Sequence, residues 1–85
     1  MPKIIVYSKE SCPYCVRAKQ LLTAKGLAFE EVHVDHDPSK LDEMLARSEG
    51  RRTVPQIFIN DKGIGGFDAL WALEQQGELD QMVKE

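Results

Sequence analysis

Both cysteines of the chain lie in one tetrapeptide, Cys12-Pro13-Tyr14-Cys15. The apolar run Ile4-Ile5-Val6-Tyr7 precedes it and a helix-like pattern follows, so the pair is expected where a strand hands over to a helix. That placement changes the chemistry of a thiol. The first turn of a helix leaves N–H groups unpaired and carries partial positive charge. A thiol there loses its proton more readily, and the thiolate is the nucleophile. A free thiol with pKa ~8.5 is only about 3% thiolate at neutral pH. Lowering the pKa by ~2.5 units raises that fraction roughly thirtyfold, while nucleophilicity falls roughly tenfold or more at a Brønsted slope of ~0.45. The larger benefit is in departure, because a low-pKa sulfur leaves readily when a second thiol attacks its mixed disulfide. Cys12, first at the helix start, is the expected attacker. Cys15, one turn in and expected to be more buried, would resolve.

The competing reading of the pair is half a zinc site. Zinc takes four ligands, and His33 and His36 are the only histidines. At a strand–helix junction the redox reading is preferred, and no metal is expected. Around the pair stand other candidates. Lys9 could stabilise a thiolate or bind a substrate carboxylate, or be a solvated surface lysine. Thr53-Val54-Pro55 precedes an apolar strand. A cis proline there would leave backbone groups free for a peptide-like ligand, whereas base rates favour a trans proline at a strand start. Gly65-Gly66-Phe67-Asp68 combines glycines that admit a ligand to the backbone with a helix start that attracts a carboxylate. Its plainer reading is a tight turn capped by Asp68. His33 and His36 read as surface residues and Trp71 as core; Arg51-Arg52 could attract an anionic ligand, but the plainer reading is a solvated loop.

The chain as a whole bounds these readings. Eighty-five residues with a formal net charge of −3 make one domain, 1–85, of mixed charge. Neither a nucleic acid nor an anionic membrane is an expected partner. The first apolar run is too short for a signal peptide, and no run could span a bilayer. The expected compartment is the cytoplasm, where thiols are kept reduced. A disulfide closing so short a loop would be a poor staple, so the aliphatic core must hold the fold.

The pattern along the chain predicts strand 3–7, helix 13–25 ending at Gly26, and a half-polar strand 29–34. A helix opened by Asp37-Pro38 and stopped near Gly50 follows. Strand 56–59, a turn over 60–63 and a short strand from Ile64 come next. Two helices close the chain, one carrying Leu70, Trp71 and Leu73, the other Leu79, Met82 and Val83. The order β-α-β-α-β-β-α-α implies an α/β fold with a parallel βαβ unit and an antiparallel hairpin. It makes a four-stranded mixed sheet, helices on both faces, with strands 3–7 and 56–59 in the middle.

Taken together, Cys12-Pro13-Tyr14-Cys15, Lys9 upstream, Thr53-Val54-Pro55-Gln56-Ile57-Phe58-Ile59 and Gly65-Gly66-Phe67-Asp68 resemble the glutaredoxin family, in its small bacterial dithiol type. The resemblance spans nearly the whole chain. It implies a thioredoxin-like fold and a glutathione-dependent disulfide oxidoreductase, with glutathione as co-substrate and no permanently bound cofactor. By that analogy Cys12 attacks glutathione-mixed or protein disulfides and Cys15 resolves the latter. Lys9, Tyr14, Thr53, Val54, a cis Pro55, Gly66, Phe67 and Asp68 would hold glutathione. A monomer acting on glutathionylated or disulfide-containing proteins is expected, ribonucleotide reductase being a family expectation. One departure is Ala69, where many members have a second acidic residue. Two other readings stand beside this one: a redoxin reduced by thioredoxin reductase, and a non-enzymatic carrier of an iron–sulfur cluster.

Overall fold

The structure, a computed structural model, describes residues 3–83. Its sheet has the order β2-β1-β3-β4. Strand β1 (Ile4–Ser8) pairs parallel with β2 (Glu30–His33) and antiparallel with β3 (Gln56–Ile59), which pairs antiparallel with β4 (Lys62–Gly65). Every residue of β1 and β3 is buried, so the two most apolar strands do occupy the middle. β2 is largely exposed and lies at an edge, as its polar alternation predicts.

Alternation along the central strands divides two cores. Ile4, Val6, Ile57 and Ile59 enter one with Ala18, Leu22, Leu70 and Leu79. These come from helices α1 (Pro13–Ala24), α3 (Phe67–Gln75) and α4 (Glu78–Val83). Ile5, Tyr7 and Phe58 face the other way, against Val34 and Met44. Met44 belongs to α2 (Pro38–Arg47), which covers that face alone. A fully buried aliphatic side chain contributes ~1.5–3 kcal/mol. The three-helix face holds most of them, so it carries most of the hydrophobic stabilisation.

The caps follow local chemistry. Asp37 accepts the Ser39 N–H at 3.0 Å, with Pro38 at the first helical position. Gly26, at φ +73°, ends α1, and the Leu27 N–H returns to the Leu22 carbonyl at 3.0 Å.

Besides α1 and β2 being shorter than the expected 13–25 and 29–34, other details differ from the sequence reading. β1 runs one residue later than 3–7, because Ser8 is fully buried and donates to Glu31 Oε2 at 2.7 Å. The hairpin turn is only Asn60-Asp61, both at positive φ, so Lys62 and Gly63 belong to β4 rather than to the turn. Asp68 is not the cap of α3: Gly66 holds that position with no side-chain bond, and Asp68 sits inside the first turn. Trp71 is not core but 47% exposed, because α3 turns Leu70 inward and leaves its neighbour outside.

Candidate active site

The end of β1 delivers the chain to α1 through a short loop. Cys12 is the N-cap of α1 in an extended conformation, and Pro13 occupies the first turn. The Sγ of Cys12 accepts the Cys15 N–H at 3.2 Å, one of the donors a helix start leaves free. The two cysteines are joined in a disulfide, their Cα atoms 5.2 Å apart. Cys12 is half-buried, while Cys15 is 1% exposed. Any partner arriving from solvent therefore meets the Cys12 sulfur first.

Beside the pair runs a groove of about 550 Å³. Tyr14 lines it, together with Thr53, Val54, Pro55, Gly66, Phe67 and Asp68. The structure thus brings together two motifs that lie about forty and about fifty residues from the cysteines in sequence. The Val54–Pro55 bond is cis. Among the described residues nothing pairs with the Val54 N–H or carbonyl, which leaves an open backbone edge in the groove wall. The N–H groups of Phe67 and Asp68, at the start of α3, are equally without partners among the described residues. They give the groove a positively polarised end. Lys9 is exposed and does not line the groove.

Ser48 was not singled out in the sequence, and neither Arg51 nor Gln56 was assigned there to the groove. Arg51, read there as solvated loop, lines the groove. Its backbone is clipped by Ser48, whose Oγ accepts the Arg51 N–H at 3.1 Å and donates to the Arg51 carbonyl at 3.2 Å. A β-carbon on Gly65 would lie 3.4 Å from Arg51 Nη1, and Gly65 sits at φ +114°, where side chains are strained. Gln56, only 3% exposed, donates through Nε2 to the Thr53 carbonyl at 2.9 Å and to its Oγ1 at 3.1 Å. It ties the groove wall to the central strand. A buried polar residue inside an apolar strand is the signal that could have flagged it.

The rim is aromatic. Tyr14 stacks on Phe67 and Phe67 on Trp71, each pair 6.2 Å between centroids, with the Arg17 guanidinium 5.6 Å from the Tyr14 ring. Tyr14 is 54% exposed, so this array faces solvent next to Cys12.

Such a site can accept a thiolate-displacing partner at Cys12 and hold an extended, anionic ligand alongside. Comparison with known proteins agrees. The glutaredoxin family model matches residues 4–64. Glutaredoxin 3 of Escherichia coli K12 is 51% identical over 84 residues, covering 99% of this chain and all of the relative. A glutaredoxin of Pseudomonas aeruginosa is 48% identical over 83 residues, covering 98% of each. Among solved structures, a buckwheat glutaredoxin–glutathione complex superposes with a TM-score of 0.84 at 31% identity, covering 94% of this chain and 74% of that one. The Brucella melitensis glutaredoxin superposes with a TM-score of 0.83 at 46% identity, covering 96% and 88%. The chain belongs to the glutaredoxin family, the glutathione-dependent thiol–disulfide oxidoreductases, and has the dithiol pair Cys12–Cys15 and the thioredoxin-like fold of that family.

Proposed function

We propose that Cys12 is the nucleophile, Cys15 the resolving thiol, and the adjoining groove the glutathione site. The observation that carries this reading is the pairing of a reachable Cys12 sulfur on the free amides of α1 with a Cys15 sealed beneath it.

With a glutathione-mixed disulfide, the Cys12 thiolate attacks the glutathione sulfur. A Cys12–glutathione disulfide forms and the substrate thiolate leaves. A second glutathione thiolate then attacks the bound glutathione sulfur, releasing glutathione disulfide and the Cys12 thiolate. With a protein disulfide, Cys12 forms a mixed disulfide with one substrate sulfur and the other leaves as thiolate. The deprotonated Cys15 attacks Cys12 Sγ, and the second substrate thiolate departs. The Cys12–Cys15 disulfide left behind is reduced by two glutathiones through the same Cys12–glutathione intermediate. The helix-start amides stabilise the Cys12 thiolate each time it is the leaving group.

In the groove, the cysteinyl backbone of glutathione pairs with the open Val54 edge beside Thr53 and Pro55, a strand-addition contact. The Phe67 and Asp68 N–H groups, next to Gly66, take the γ-glutamyl carboxylate. Tyr14 packs on the ligand. Arg51 is the cation lining the groove, and Lys9, outside the groove on the loop before Cys12, reaches a carboxylate of the ligand from there. We extend the proposal to the setting: one domain over 1–85, monomeric, cytoplasmic and without a permanent cofactor, acting on glutathionylated or disulfide-containing proteins. Among the described residues no helix is long and apolar enough to cross a membrane.

The test is turnover of a small glutathione-mixed disulfide coupled to glutathione reductase, alongside reduction of a protein disulfide. Cys12→Ser abolishes both. Cys15→Ser keeps the first and loses the second. The reverse pattern overturns the assignment of roles.

A further inference from the structure

His33 is the last residue of β2, and Asp35 and His36 follow in the link to α2. All three are exposed, yet one potential ligand atom from each lies within 4.8 Å of the others. Further carboxylates flank them. His33 Nε2 is 3.2 Å from Glu31 Oε2, and His36 Nε2 is 3.5 Å from Glu10 Oε1. We propose that His33, Asp35 and His36 form a binding site for a borderline divalent cation, zinc above all, separate from the cysteine pair.

The donor set selects the ion. Two imidazoles and one carboxylate suit zinc, copper(II) or nickel(II), whereas magnesium and calcium prefer an all-oxygen shell. Zinc bonds of ~2.0–2.2 Å place tetrahedral ligand atoms roughly 3.3 Å apart. The trio must therefore close by no more than ~1.5 Å, a distance that rotation of exposed side chains covers. The surroundings are partly built already. Asp35 Oδ2 accepts the Glu10 N–H at 3.0 Å, which holds that carboxylate beside the two rings. Glu31 is held by Ser8 at 2.7 Å and Lys19 at 2.6 Å, and a carboxylate on one imidazole nitrogen is the outer-shell partner that orients the other toward a metal. Three protein ligands leave a fourth position to water, an open site. The acidic flank adds negative charge beneath a dication.

The experiment uses the full chain with Cys12→Ser and Cys15→Ser, so that thiolates cannot bind the metal. Zinc chloride is titrated by calorimetry, with magnesium chloride as control. The expected result is one zinc per chain and no magnesium. His33→Ala and His36→Ala, both at exposed positions, each weaken zinc binding at least about tenfold, the loss even an outer-shell change produces. In parallel, zinc shifts or broadens the imidazole proton resonances of both histidines. Failure of zinc to bind, half a zinc per chain, or binding indifferent to both histidine changes overturns the proposal. None of these results bears on the roles of Cys12 and Cys15.

Discussion

Gln56 makes a sharp test of how the groove is held. Replacing it with methionine keeps nearly the same volume in the buried slot but removes both Nε2 donors. The two bonds lost go to the Thr53 carbonyl at 2.9 Å and the Thr53 Oγ1 at 3.1 Å. Thr53 is exposed, so its freed oxygens can take water, and the cost is the net worth of two bonds rather than two desolvated orphans. At ~0.5–1.5 kcal/mol each, Gln56→Met loses about 1–3 kcal/mol of stability, measured by urea unfolding. The same bonds hold the segment on which Val54 offers its backbone. If about 1 kcal/mol of that loosening is felt when ligand binds, KM for a glutathione-mixed disulfide rises roughly fivefold. The maximal rate stays near wild type, because neither sulfur nor its amide partner is touched. A plain packing role would change stability without this rise in KM. A Gln56→Met enzyme with wild-type stability and wild-type KM would refute the reasoning outright.

Two further outcomes follow from the same geometry. Ala69 lines the groove beside Asp68, so Ala69→Asp should tighten glutathione on a Cys15→Ser background. A charge-assisted contact to the ligand's ammonium contributes ~1.5–3 kcal/mol when dry and less in an open groove, so unchanged or weaker affinity by calorimetry would count against the contact. Burial and the hydrogen bond to Glu43 push the Tyr7 hydroxyl up to about 12, and that bond, opposed by partial burial, holds the Glu43 carboxyl below its ordinary value. The Tyr7 contribution is therefore complete below the ordinary tyrosine value and lost as pH rises toward about 12. The Glu43 contribution is present above the ordinary carboxylate value and lost as pH falls through its lowered one. Tyr7→Phe should thus be less stable than wild type across neutral pH, by about 1 kcal/mol given the partly exposed Glu43. That gap should shrink at both extremes in pH-dependent unfolding, and a gap constant with pH would show that packing alone is responsible.

What the sequence by itself determined is whatever depends on near neighbours. The apolar runs at Ile4–Tyr7 and Gln56–Ile59 needed burial on both faces, and so took the centre of the sheet. Asp37-Pro38 started a helix because a side-chain acceptor and a preset φ act within three residues. Cys12 stood at a helix start because the strand, the proline and the apolar spacing around it are all local. The groove motifs were readable as candidates from residue type, each beside a plainer reading, and the family pattern they share is what favoured the ligand-holding one. Tertiary structure decided the rest. Trp71 carries much the same local signal as Leu70, yet the packing of α3 buries Leu70 and leaves Trp71 47% exposed. Asp68 could have capped α3 by type, yet the backbone entering from β4 gave that place to Gly66. Gln56 and Arg51 matter because of what lies across space from them, Thr53 in one case and the groove beside Gly65 in the other. His33, Asp35 and His36 are near in sequence, but the Glu10 N–H that holds Asp35 and the Ser8 and Lys19 that hold Glu31 beside His33 come from other segments. Side-chain type and spacing specify local energies, whereas a site is made by contacts between segments that only the packed chain brings together.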